Sequence, residues 1–336
     1  VGILDTILWP IKWVIEAILV GFHNVVTSLG FQPNSGLAWV LSITGLVLVV
    51  RAALIPVFVR QIKSQRRMME IAPELKKIQD KYRGKKDQFS REAMSRETMA
   101  LYSKAGTNPF SSCLPLLLQM PIFFGLFRVL IDAGEERAGV SFMTKELAVS
   151  FANAELFGSA PLQAAMYQVF DGSNLYAGTQ AVSIVLIAAV MVILMSGSQF
   201  ITQLQIMSKN QSPEMKASPM YRQQRILLYV LPLVFLFSGV FFPLGVMFYW
   251  LVSNFWTMGQ QFIVIRNMPT PGTEAAKQRD ERLAKKRAKK GLPDPEEEQA
   301  KAIEEELPPP PTQRPQPVSK DRAKKKKKKK KGKGKR

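Results

Sequence analysis

Residues 37–59 read LAWVLSITGLVLVVRAALIPVFV, and Arg51 is the only charge among them. A helix crossing the hydrocarbon of a bilayer needs about 20 mostly apolar residues, each adding about 1.5 Å. The stretch therefore reads as a spanning helix with a guanidinium inside it. Near the centre of such a helix an arginine costs on the order of 3 kcal/mol on insertion scales. No Asp or Glu occurs in any other apolar run, so no intramembrane carboxylate is on hand to neutralise it. The cation must meet water, polar side chains or an arriving anion. Arg51 is accordingly the first candidate functional residue.

Five apolar runs reach spanning length, at about 39–58, 114–131, 180–203, 226–242 and 244–265. The fourth makes only about 25 Å of helix, which implies a thin bilayer or a nearly upright helix. It meets the fifth at Phe242-Pro243-Leu244, a tight antiparallel turn. Loop charges set the orientation. Residues 59–108 carry thirteen Lys/Arg, including Arg60, Lys63, Arg66 and Arg67. Residues 132–178 carry only Arg137 and Lys145 against six acids, and residues 207–225 are basic again. The positive-inside rule then places the N-terminal part outside and the C-terminus in the cytosol. The expected fold class is all-α, a polytopic protein of the cell membrane with a five-helix core over 37–268.

Composition removes several functions. The net charge of +20 resides largely in loops and tail, Cys113 is alone and His23 is the only histidine. No disulfide framework is possible, the sequence suggests neither a thiol–metal site nor a redox pair, and most hydrolase and metalloenzyme designs fall away. An intramembrane protease needs a Ser–His pair or paired Asp residues in the spans, which are absent. The GxxxxGK[ST] phosphate loop is absent too. The chain reads as a non-enzyme without cofactor or metal.

Three segments flank the core. In residues 1–30, Asp5, Lys12, Glu16 and His23 fall within about 40° of one another on a helix. Leu4, Ile7, Ile11, Ile15, Ile18, Phe22, Val25 and Leu29 lie opposite, and Trp9 and Trp13 suit a headgroup boundary. This is an amphipathic helix expected to lie on the outer membrane surface. The polar stripe argues against a sixth span or an uncleaved signal segment. Residues 60–104 read as a cytosolic helical hairpin. Met68, Ile71, Leu75, Ile78 and Tyr82 form a 3-4-3-4 seam for a partner helix. Pro73 forces a kink or fresh start, Arg83-Gly84 supplies the turn and Asp87 a cap. The hairpin is either a solvated spacer or a docking arm for clients and partner proteins. Residues 269–336 are block-charged and Pro-rich, hence disordered. They end in Lys324, Lys325, Lys326, Lys327, Lys328, Lys329, Lys330 and Lys331, whose anionic targets are ribosomal RNA or acidic lipid.

Polar residues gather where the spans approach the cytosol. Pro109, Pro115 and Pro121 surround the start of the second span and free backbone carbonyls, which membranes tolerate only where protein or water satisfies them. Gln119 lies among them. The third span adds Ser196, Ser198, Gln199 and Gln203, and the fifth adds Ser253, Asn254, Gln260 and Gln261. Singly these are ordinary interhelical hydrogen-bonding groups. Together with Arg51 they outline a wet concavity.

The stretch NPFSSCLPLLLQMPIFFGLF (108–127) resembles the signature opening the second core helix of YidC-type membrane protein insertases. FFPLGVMFYWLVSNFWTMGQQ (241–261), the arginine in the first core span, the charged hairpin and the basic tail are similar as well. The absence of a large domain between the amphipathic helix and the first core span resembles the short Gram-positive form. The resemblance covers roughly residues 3–268. It implies a five-helix core around a hydrophilic groove, open to cytosol and lipid and closed outside, with Arg51 receiving substrate. The implied partners are nascent membrane proteins and the lipid bilayer, with the ribosome a target for the tail and the general secretion translocon a further candidate. The alternative is a small-solute or ion transporter, which shares intramembrane arginines and broken helices but calls for an inverted repeat and a coupling carboxylate.

Overall fold

A computed structural model describes residues 3–107, 114–172, 175–209 and 219–292. Val1–Arg279 form one compact unit and Asp280–Arg336 another. From the N-terminus the elements are α1 (Ile3–Ser28), α2 (Gly36–Glu70), α3 (Ala72–Lys81), α4 (Gln88–Lys104), α5 (Leu114–Gly134) and α6 (Lys145–Ala152). Two-residue strands β1 (Glu155–Leu156) and β2 (Ala160–Pro161) and a 3-10 turn at Met166–Val169 follow. The chain continues with α7 (Gly178–Lys209), α8 (Pro219–Phe241), α9 (Leu244–Asn267) and α10 (Glu274–Lys289). The polylysine run and residues 108–113 of the signature lie outside the described residues.

The all-α fold is as expected, with helices on all five apolar runs. Among the described residues, four stretches are long and apolar enough to cross a membrane: Asp5–Ser28, Gly36–Ser64, Leu117–Gly134 and Gly178–Lys209. The apolar part of α8 is shorter, Leu228–Phe241, and α9 dilutes its apolar residues with Ser253, Asn254, Gln260 and Gln261.

The core explains the placement of α9. Trp39, Ile43 and Leu46 of α2 pack with Leu126 and Val129 of α5, Phe151 of α6, and Val246 and Tyr249 of α9. On its other side α9 packs Leu244, Met247 and Leu251 against Ile184, Ala188 and Met195 of α7. Between α5 and α9 an aromatic stack fills the interior. Phe123 lies parallel to Trp250 with centroids 5.0 Å apart, and Phe242 meets the Trp250 ring at 4.9 Å.

Residues 135–172 fold into a cap over one end of the bundle. Ser150 accepts from the Trp39 indole at 3.2 Å and donates to the Pro33 carbonyl at 2.9 Å. The backbone N–H groups of Leu244 and Gly245 donate to the carbonyls of Ala164 and Leu162 at 2.9 and 2.8 Å. These bonds satisfy orphan donors in the first turn of α9. Gly36 is required where α2 starts, because a Cβ there would overlap the Glu155 carbonyl.

The N-terminal helix corrects one expectation. Its polar stripe does not face water: Lys12, Glu16 and His23 are buried against the rest of the protein, while Ile7, Trp9 and Val25 are exposed. Lys12 pairs with Asp132 at 3.1 Å, and Asp132 also binds Arg137 at 2.9 Å. Asp5 meets Arg128 at 3.4 Å. Glu16 accepts from the backbone N–H groups of Val140 and Ser141 at 2.9 and 2.7 Å. The His23 ring stacks on Trp39 with centroids 3.9 Å apart. Charges that find such partners no longer argue for solvent, so the stripe says nothing against burial. Glycines admit the helix: Gly45 receives Phe22, Gly125 receives Ile11 and Ile15, and Gly139 receives the Glu16 carboxylate. Asp5 reaches Arg128, six residues from the end of α5, and His23 reaches Ser42, six residues from the start of α2. The contacts of α1 thus run along α2 from Trp39 to Gly45 and along α5 from Gly125 to Asp132.

At the other end α2 runs on as one helix to Glu70, breaks at Ile71 and restarts with Pro73 in the first turn of α3. There a missing N–H is harmless. Gly84 turns the chain with φ +84°, and Asp87 caps α4 by accepting from Ser90 N–H at 2.8 Å. Met68, Ile71, Leu75, Ile78 and Tyr82 are all half-buried along the seam. Tyr82 donates to Glu97 at 2.8 Å, and Lys81 pairs with the same carboxylate at 2.6 Å. Phe89 stays 73% exposed, outside the seam.

The expectation of disorder from residue 269 onward is corrected over its described part, 269–292. Thr270 and Thr273 are buried, and Thr273 accepts from Ala276 N–H at 3.3 Å at the start of α10. The segment 274–289 was expected to be structureless for lack of apolar residues, yet Ala, Glu, Lys and Arg are strong helix formers. Their intrinsic preference holds a helix without a core.

Glu16→Ala should lower the unfolding midpoint in detergent, because it strands two half-buried backbone donors, each costing up to about 1–3 kcal/mol. Glu16→Gln, which keeps one acceptor oxygen, should fall between it and wild type. In the hairpin, the Ser90 N–H holds the Asp87 carboxyl below its ordinary value. A depressed carboxylate adds stability above its unfolded pKa and loses it as pH falls through the folded one. The protection of the Ser90 amide, relative to an unstructured peptide at the same pH, should therefore fall below about pH 4, and Asp87→Ala should abolish that dependence.

Candidate functional site

Arg51 lies midway along α2, half-buried, with its guanidinium turned to α9. It donates to the Ser253 hydroxyl, and the Phe58 ring lies 5.9 Å from its carbon Cζ. Among the described residues no ion pair involves Arg51. The carboxylates nearest to apolar sequence, Asp5 and Asp132, are engaged at the capped end by Lys12, Arg128 and Arg137. Arg51 is therefore held by neutral groups alone.

Tyr249 sits one helical turn from Ser253 on α9, toward the cap. Its hydroxyl accepts from the Gln119 amide of α5 at 2.6 Å, one turn along α9 from the Ser253 that Arg51 engages. Arg51, Ser253, Tyr249 and Gln119 thus form one polar ladder joining α2, α9 and α5. Apolar and aromatic residues close it toward the cap. Phe123 follows Gln119 by one turn of α5, and Trp250 stacks on Phe123.

The remaining expected residues distribute unevenly. Asn254 adjoins Ser253, and its Nδ2 is buried with no hydrogen-bond partner. Gln260 is held within α9, accepting from the Trp256 indole at 3.0 Å. Ser196 donates to the Pro232 carbonyl at 3.4 Å and so ties α7 to α8. Gln199 and Gln203 lie half-buried on the same side of α7 as Ser196. Ser198 and Thr202 are buried and bond back to their own helix. The structure thus joins Arg51 with Ser253 and Tyr249 with Gln119; among the described residues no hydrogen bond carries that ladder to Ser196, Gln199, Gln203 or Gln260. Of the three prolines, Pro121 lies inside α5, where it frees the carbonyl of Leu117. Pro109 is outside the described residues.

Sequence reasoning missed Tyr249 and the Lys12–Asp132–Arg128 cluster. Tyr249 could have been found as the aromatic hydroxyl four residues before Ser253. Arg128 and Asp132 could have been found as an i,i+4 pair at the end of an apolar run.

The family described as 60Kd inner membrane protein matches residues 30–271. Over 282 residues the chain is 43% identical to the membrane protein insertase YidC of Tropheryma whipplei (strain Twist), covering 83% of this chain and 90% of that one. Over 276 residues it is 44% identical to that of Streptomyces avermitilis, covering 82% of this chain and 61% of that one. With the insertase YidC of Bifidobacterium longum it shares 36% identity over 312 residues, 90% of each chain. These matches span all five core helices and the hairpin, and the chain belongs to the 60Kd inner membrane protein family, that of the YidC insertases.

Proposed function

We propose that this multi-pass protein of the cell membrane is an insertase. It receives nascent membrane proteins in a hydrophilic groove and releases their apolar segments laterally into lipid. The observation that carries the reading is Arg51, a permanent cation inside apolar sequence and held only by neutral groups. A client brings an apolar segment with a short polar tail that must reach the far side. A wet recess shortens the dry distance, and Arg51 draws an acidic residue into it. A potential positive outside then favours outward movement of that charge by about 2.3 kcal/mol per 100 mV. The client's apolar segment gains burial of its own in the bilayer. No covalent step is called for.

Loop charge supports placing the cap outside and the hairpin and C-terminus in the cytosol. The same orientation lays α1 across the outer face, with Trp9 and Trp13 exposed toward the headgroups. The seam Met68, Ile71, Leu75, Ile78 keeps the hairpin an ordered arm on the side where clients arrive. The lysine tail is read as a tether to ribosomal RNA, with the secretion translocon a possible co-worker for longer clients. The transporter alternative finds no comparable support.

In liposomes, Arg51→Ala should cut insertion of single-span clients with acidic tails about tenfold or more, a loss equivalent to one charged hydrogen bond. Arg51→Lys should retain most of it. Equal insertion by wild type and Arg51→Ala would remove the charge-capture role. Truncating residues 293–336 spares the buried Thr270 and Thr273. It should reduce ribosome co-sedimentation most at low salt, leaving post-translational insertion intact; unchanged co-sedimentation would assign the tail to another anion.

A further inference from the structure

Three hydrogen-bonding groups surround the place where Arg51 meets α9, and their donor–acceptor balance is lopsided. The guanidinium has donors only, and Ser253 takes one of them. The Gln119 amide donates to the Tyr249 oxygen at 2.6 Å. The phenol has therefore accepted a bond while its own proton remains to be placed. Among the described residues no acceptor takes that proton, although Tyr249 is only 4% exposed. A buried donor left unmade is costly, and the guanidinium beside it cannot accept.

We infer that the Tyr249 hydroxyl is a second donor for the client's carboxylate, oriented by Gln119, so that Arg51 and Tyr249 together form a two-point site selective for carboxylate over amide. This deepens the charge-capture reading and rests on it. The chemistry follows from the geometry. A carboxylate offers two acceptor oxygens and no donor, so one oxygen faces Arg51 and the other takes the phenol proton. The side-chain amide of Asn matches poorly, since its NH2 end meets a donor. Tyr249 touches the client in this arrangement. Gln119 acts through Tyr249: by donating to the phenol oxygen it turns the proton away from α5 and toward the Arg51 side. The fixed ring supports the alignment, being buried in the core shared by α2, α5 and α9.

The test uses the full chain in proteoliposomes and one single-span client whose outer tail carries either one Asp or one Asn at the same position. Wild type should insert the Asp client in preference. Tyr249→Phe keeps the ring and removes the proton. Insertion of the Asp client should fall about tenfold, as for loss of a hydrogen bond to a charged group, with the Asn client within about twofold of wild type. Gln119→Glu sets a permanent acceptor against Tyr249 and beside Arg51, and should erase the Asp-over-Asn preference even with an unchanged unfolding midpoint. Gln119→Met, which leaves the phenol unoriented, should give an intermediate preference. Equal losses on both clients in Tyr249→Phe would make Tyr249 a structural residue only, and no loss on either would likewise overturn the inference. Arg51→Ala, run alongside, separates the two levels. If it too leaves the Asp client unaffected, the charge-capture reading itself fails; if it abolishes the preference while Tyr249→Phe does not, only the second donor is refuted.

Discussion

A guanidinium cannot shed its proton, so an arginine within apolar sequence obliges its surroundings to supply polar groups or water. At Arg51 that obligation organises three helices. Ser253 of α9 takes one of its donors, which brings α9 against α2. Tyr249, one turn further along α9, is joined to Gln119 of α5. Above this ladder the interior turns aromatic, with Phe123, one turn beyond Gln119 on α5, packing on Trp250 and Phe242. The interior thus changes from polar to apolar within about one helical turn, some 5 Å. A recess so bounded can be wet at one end and sealed at the other.

The capped end treats buried charge in the opposite way. Asp132 contacts Lys12, Arg128 and Arg137, and Glu16 is enclosed by two backbone donors and the Ser141 hydroxyl. Removing one member of such a set leaves an uncompensated buried charge, which is strongly destabilising. These charges therefore hold position: they fix α1 against α2 and α5, and glycines at 45, 125 and 139 let it approach. Saturated ion pairs fasten one end, whereas among the described residues Arg51 has no acidic partner. On the proposed reading, the contrast would separate a structural from a receptive use of charge in one chain.

Patterns that depend on local physics were legible in the sequence. The five apolar runs become helices because length and hydropathy alone demand it. Pro73, Gly84 and Asp87 punctuate the hairpin because each acts through its own backbone or the next turn. What depends on partners distant in the chain was not legible. The stripe Asp5, Lys12, Glu16, His23 has the spacing of a solvent face, and only Asp132 and residues 140–141, more than a hundred positions away, turn it inward. The cap at 135–172 has neither strong periodicity nor a long apolar run; it is defined by hydrogen bonds to Pro33, Trp39 and the start of α9. Arg51 announced itself because an intramembrane charge is rare. Tyr249 did not, because a tyrosine in an aromatic stretch looks like core until Gln119 is placed beside it.

The strength of capture has to be limited for such a site to work. A client must leave as readily as it arrives, so the interaction cannot approach that of a saturated buried ion pair. One hydrogen bond to a charged group contributes about 1.5–3 kcal/mol, and a membrane potential does work of about 2.3 kcal/mol per charge per 100 mV. These are of the same size. A carboxylate held by one arginine and one phenol can therefore be drawn in by the site and moved onward by the field. Were Arg51 ringed by acids as Lys12, Arg128 and Arg137 gather on Asp132, a carboxylate would be repelled. With several more cations it would be trapped. A lone arginine among neutral groups sits between those limits, and on the proposed reading its sparse surroundings would leave a client free to depart for lipid.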